Sequence, residues 1–179
     1  MITYDVATKQ LQHQVEKMTL PQGFKPLHDM GKTVYRFRQA FQNPNIRIKT
    51  ISQKYEQERV AQGRYSAGFC GIASYTWNHL FRMPDGSEVW RMKMISNDMG
   101  YKLNHVWLEN VFNGEPLDLT FDQFIDAHGR CLELPYSEIG EYVSSDFLFQ
   151  RACVFAKHLG IQLDGIVVEN ALHLIARGR

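Results

Sequence analysis

An α+β domain, with helices on either side of a small antiparallel sheet, is what this sequence predicts, and three observations predict it. Apolar residues recur at helical spacing in segments 5–19, 29–42 and 144–159. Period-two alternation instead marks the stretch that ends at Ile95, then His105–Val111 and Leu117–Thr120. The two patterns are segregated along the chain and do not alternate as βα units would. The 179 residues suit a single domain with one core. We read it as a helical part (1–62), a central part carrying the candidate chemistry (63–125) and a second helical part (126–179).

The elements follow in order. Val6, Leu11, Val15 and Met18 lie at roughly helical intervals among polar residues, and Pro21-Gln22-Gly23 stops the pattern. A second helix is expected from Asp29 to Gln42. Asn43-Pro44-Asn45 then reads as a turn into a β-branched alternation of Ile46, Ile48 and Thr50, hence a strand. The polar residues from Ser52 to Gln62 suggest an exposed helix. After Gly63 comes Gly68-Phe69-Cys70-Gly71, followed by Ile72, Ala73, Thr76, Trp77, Leu80 and Phe81 on one broad helical face, so Cys70 falls at or beside a helix N-terminus. Met83-Pro84-Asp85-Gly86 is a turn signal, and beyond it Trp90, Met92 and Met94 share one face of a strand. Asn113-Gly114 marks a hairpin between the next two strands. Thr120–Phe124 starts a short helix, and Leu148, Ala152, Phe155 and Leu159 pattern a longer one from about Ser144.

Composition narrows the function classes. Twenty Lys and Arg balance nineteen Asp and Glu to a net charge of +1, with no basic run, so nucleic acid is not an expected partner. No apolar run approaches the length of a membrane span, so no membrane partner is expected either. Residues 1–10 hold no basic region followed by an apolar one, which leads to the expectation of a cytoplasmic protein. Three cysteines (Cys70, Cys131, Cys153) are too few and odd in number for a disulfide framework, so each is either a buried small hydrophobe or a reactive thiol.

Cys70, His105 and Asp118 are the candidate catalytic residues. A helix N-terminus and a neighbouring imidazolium both favour thiolate over thiol. Gly68 and Gly71 beside Cys70 leave room for a carbonyl to approach, with the Cys70 N–H as one oxyanion donor. His105 would serve as base and then acid, and Asp118 would orient its ring. Strand register decides whether these two meet. A two-residue turn at Asn113-Gly114 would set Glu109 opposite Asp118 and His105 opposite Asp122, and so hold His105 about 13 Å from Asp118. The like-charge Glu109–Asp118 pair argues for a wider loop. Register slips of two or four residues bring Asp118 toward His105 on the same sheet face. Asp118 could instead cap the short helix, with Asp122 as the orienting acid.

Gly-Phe-Cys70-Gly-Ile-Ala-Ser, His105-Val-Trp107-Leu-Glu and Leu-Asp118-Leu-Thr120, in that order, resemble the papain-like and transglutaminase-like cysteine hydrolases. More narrowly, Asn-His105-Val-Trp107 with Asp118-Leu-Thr-Phe-Asp-Gln123-Phe124 resembles the uncharacterised bacterial YunG-like proteins. The resemblance spans residues 66–125, about a third of the chain. It implies a Cys-bearing helix packed on a sheet that carries the His and Asp. It also implies a covalent thioacyl mechanism on an amide, thioester or ester carbonyl of a peptide, protein or small molecule, with no cofactor and no metal. Papain-like enzymes typically place a glutamine side chain in the oxyanion hole six residues before the cysteine. That position is Arg64 here and the nearest upstream glutamine is Gln62, which leaves the second donor unassigned.

Two rival readings come from other classes. His128-x2-Cys131 and Cys153-x4-His158 could supply a Cys2His2 zinc site, although helical packing explains both pairs. The chain could also be a catalytically inactive papain-like interaction module. Cys131 and Cys153 read as packing residues, and Trp77 and Trp107 as core aromatics, with Trp107 on the face of His105.

Overall fold

The structure, a computed structural model, describes residues 3–53, 55–57, 63–96, 103–125, 134, 136, 141–142, 149–161 and 163. It is an α+β arrangement, as the segregated patterns predict. Helix α1 (Tyr4–Lys17) is capped by the Thr3 hydroxyl and α2 (Met30–Gln42) by the Asp29 carboxylate, which accepts from Lys32 N–H at 2.7 Å. The buried face of α1 is Ala7, Thr8, Leu11 and Val15, while Val6 is 41% exposed, so the helical period holds with its phase shifted by one residue.

The expected strand at 46–50 is a helix, α3 (Pro44–Thr50). Asn43 Oδ1 accepts from the Asn45 N–H, and Pro44 takes a first-turn position where its missing N–H costs nothing. The turn signal Asn-Pro is therefore a helix start. Ile46 and Thr50, four residues apart, are buried on one side while Ile48 points out at 75% exposure. Alternation over so short a stretch fits both periods, and the cap decides between them. Residues 53 and 55–57 of the expected polar helix are helical.

Helix α4 (Cys70–Leu80) is the central helix, with Gly71 to Asn78 all buried. It packs on two strands, β1 (Trp90–Ile95) and β2 (His105–Asn110), and on α5 (Phe149–His158). Residues 144–148 of the expected longer helix lie outside those described. Two short strands, β3 (Pro116–Leu117) and β4 (Glu141–Tyr142), complete a sheet of order β3-β2-β1-β4. All its pairings are antiparallel. Trp90, Met92 and Leu108 turn to the core shared with the helices, where Phe37, Phe41, Phe69, Trp77 and Phe155 pack ring on ring. Such pairs add to the area they bury through edge-to-face and offset stacking. Among the described residues no helix is long and apolar enough to cross a membrane.

The hairpin is wide. Leu108 pairs with Leu117 and Glu109 with Pro116, a slip of two residues from the tight turn. Residues 111–114 form the loop, closed by Gly114 N–H on the Asn110 carbonyl at 2.9 Å, and Gly114 takes φ +74°. Glu109 is thereby freed from Asp118 and pairs with Lys93 Nζ at 2.9 Å, so the like charges are separated. The ladder stops at Leu117. The strand expected to run on to Thr120 instead turns, and a 3-10 helix follows at Phe121–Phe124.

Candidate active site

His105 opens β2, and Asp118 is the first residue past β3. With the register slipped by two, the pair lies diagonally on one face of the hairpin, and His105 Nε2 donates to Asp118 Oδ2 at 2.6 Å. Both are buried, at 1% and 6% exposure. Asp118 is held on every side. Its Oδ1 accepts from the backbone N–H of Thr120 at 2.9 Å and from the Thr120 hydroxyl at 3.1 Å, while its Oδ2 also accepts from the Tyr136 hydroxyl at 2.8 Å. Asp118 thus fixes the turn out of β3 with Oδ1 and orients the imidazole with Oδ2, and it does not cap the 3-10 helix, whose N-cap position is Thr120.

Cys70 begins α4, and its thiol stands near enough to the His105 ring to favour the ring's charged form. Asp118 takes Nε2, which leaves Nδ1 as the other ring nitrogen. Phe69, the residue before the helix, provides no side-chain cap for the first-turn N–H groups. Gly68 has φ +83°, which favours glycine, and a Cβ there would come within 3.1 Å of Tyr55. Space at Gly68 is thus taken by the protein's own chain, where the sequence suggested room for substrate. The glycine sets the path of the backbone into the helix start.

Electrostatics couple the three residues. Burial by itself drives the His105 ring toward its neutral form. The Asp118 charge and hydrogen bond outweigh it, with smaller help from Cys70, and lift the imidazolium pKa to about 10. Burial likewise opposes ionisation of Asp118. The His105 charge and hydrogen bond, with those from Thr120 and Tyr136, overcome this and hold the carboxyl below its usual value. The surroundings of the pair are aromatic: Phe124 stands edge-on to the His105 ring at 4.6 Å, and Trp107 stacks against it at 6.2 Å with Tyr136 edge-on behind. Trp107 is fully buried on the face predicted for it and shields the pair from water.

Asp122, the rival acid, belongs elsewhere. Its two oxygens take Arg38 Nη1 at 2.5 Å and Arg38 Nη2 at 3.0 Å, and Arg38 is 1% exposed beneath the Tyr4 ring. This ion pair fastens α2 to the 3-10 helix that follows β3. Two residues escaped the sequence reading as site components. Gln123 was noticed only within a motif, yet its Nε2 lies 3.2 Å from His105 Nδ1 and 3.0 Å from Thr120 Oγ1. Tyr136 carried no signal in sequence, because its contact with Asp118 spans eighteen residues outside any regular element.

Cys153 lies half-buried in α5, where burial pushes its thiol pKa up. His158 spends Nδ1 on the Val154 carbonyl at 2.8 Å. His128 and Cys131, the other half of the zinc reading, lie outside the described residues; among those described, no three His, Cys, Asp or Glu side chains cluster to hold a metal. No family model, curated protein or solved structure matches the chain.

Proposed function

We propose that the chain is a cysteine-nucleophile hydrolase or acyltransferase of papain-like or transglutaminase-like kind, acting on an amide, thioester or ester carbonyl. One observation carries this reading: a thiol at a helix start without a side-chain cap stands beside an imidazole that a buried carboxylate holds at 2.6 Å.

The chemistry follows from that order. The Cys70 thiol passes its proton to His105 Nδ1, and the imidazolium is stabilised by Asp118. The thiolate attacks the carbonyl carbon, a C–S bond forms, and the carbonyl π electrons move to oxygen, which the Cys70 N–H receives at the helix start. The oxyanion collapses, the bond to the leaving nitrogen, oxygen or sulfur breaks, and Nδ1–H protonates the departing group. A thioester on Cys70 remains. Water or an amine then attacks it, with neutral His105 taking the nucleophile's proton and finally returning it to sulfur.

Incubation with p-nitrophenyl acetate followed by intact mass spectrometry and peptide mapping tests this. The expected result is a single acetyl group on Cys70, absent in Cys70→Ser and in His105→Gln. Acetylation at Cys153, or none on a folded wild-type protein, would overturn the reading; the second outcome favours the inactive interaction module.

A further inference from the structure

The carboxamide of Gln123 sits where the reaction would leave a buried nitrogen without a partner. Because Asp118 holds His105 Nε2–H, the ring nitrogen that gains and loses a proton is Nδ1, and at 1% exposure it has no recourse to water. Among the described residues, Gln123 Nε2 lies 3.2 Å from Nδ1, and the Cys70 thiol stands near the ring. Sulfur is a good partner as thiolate but a weak acceptor once it carries an acyl group. At that stage Nδ1 needs another neighbour, since an unsatisfied buried polar atom is costly.

The orientation of the amide follows from its other contact. The Thr120 hydroxyl donates to Asp118 Oδ1 at 3.1 Å, so its oxygen offers Gln123 a lone pair, and the amide places nitrogen there at 3.0 Å. The same NH2 group gives its second hydrogen to Nδ1, which in that state is a lone pair on a neutral ring. A charged ring presents Nδ1–H instead, and two donors cannot face each other. The amide must then turn its oxygen inward, and the Thr120 hydroxyl can turn with it to donate to that oxygen, while Asp118 Oδ1 keeps the Thr120 backbone N–H at 2.9 Å.

We propose that Gln123 is a positioning residue whose carboxamide follows the charge on His105, presenting nitrogen to the neutral ring and oxygen to the protonated one. It rests on the Cys70–His105–Asp118 reading for its role in turnover but not for its effect on the ring. Among the described residues, the titratable and charged groups around His105 are Cys70 from α4 and Asp118 and Tyr136 on the Nε2 side. Lys93 on β1 and Glu109 on β2 neutralise each other on the same sheet face, and Asp122 beside Gln123 is neutralised by Arg38.

The test is NMR on wild-type protein labelled with nitrogen-15 in histidine and in the glutamine side chain, with Gln123→Met serving to assign the Gln123 signal. Above the midpoint of the His105 titration the Gln123 NH2 should show a nitrogen–nitrogen coupling to Nδ1 across the hydrogen bond, and below the midpoint the coupling should vanish as the amide oxygen takes its place. A side chain that only fills space would show no coupling at any pH. That result, or a coupling that persists on the protonated ring, overturns the proposal. Acetylation of wild-type Cys70 is measured alongside: its failure would sink the hydrolase reading while the coupling still decides the role of the amide.

Discussion

Asp118 shows how much a single carboxylate does when four donors converge on it. Its charge sustains the His105 imidazolium, and its Oδ1 also fixes the turn out of β3. Asp118→Asn replaces one acceptor oxygen with an NH2 group that no longer stabilises the charged ring. Alkylation of Cys70 by iodoacetamide near pH 6.5 should fall on the order of tenfold to a hundredfold, while circular dichroism keeps its wild-type form. An alkylation profile shifted by Asp122→Asn but untouched by Asp118→Asn would assign the orienting role to the other acid. The choice between the two was not legible in sequence. Both lie within a few residues of the hairpin, and only the location of Arg38, eighty-four positions from Asp122, removes one of them.

At the scale of elements, the short 3-10 helix at Phe121–Phe124 is the part on which the site's geometry depends. It presents Gln123 and Phe124 to His105 on one side and Asp122 to Arg38 of α2 on the other. Neutralising Asp122 leaves a guanidinium buried at 1% exposure. Asp122→Asn is therefore expected to cost about 3 kcal/mol in urea denaturation, and the Arg38→Met, Asp122→Leu double variant less than the two singles combined. Additive costs would mean that the pair is not coupled. The misread strand at α3 belongs to this scale as well. Five residues of β-branched alternation carry less weight than a helix cap, and Asn43 with Pro44 is a start signal that was read as a turn.

For the molecule as a whole, the buried His105–Asp118 pair ties stability to pH. The ring's pKa is raised from about 6.5 in the unfolded chain to about 10 in the fold, so its contribution is full below pH 6.5 and is lost as pH rises through 10. The Asp118 pKa is lowered, so its contribution holds above the ordinary carboxylate range and is lost as pH falls through the depressed value. Urea midpoints should therefore decline between pH 7 and 10, and His105→Gln, less stable at pH 6, should lose much of that decline. Parallel wild-type and variant curves over this range would show that the pair does not carry the pH dependence.

What the sequence by itself determined is local and periodic. Helical spacing placed α1, α2 and α4, glycines and aromatic spacing put Cys70 at a helix start, and strand parity required His105 and Asp118 to share a face, because side chains alternate with period two whatever the register. Tertiary structure decided what parity leaves open. The two-residue slip of the hairpin, with Glu109 drawn to Lys93, turned a shared face into a 2.6 Å contact. The Arg38 guanidinium took Asp122, and the turn after Asp118 brought Gln123 to the free nitrogen of the ring. Distances between charges remote in sequence depend on how layers pack, and no spacing along the chain records that.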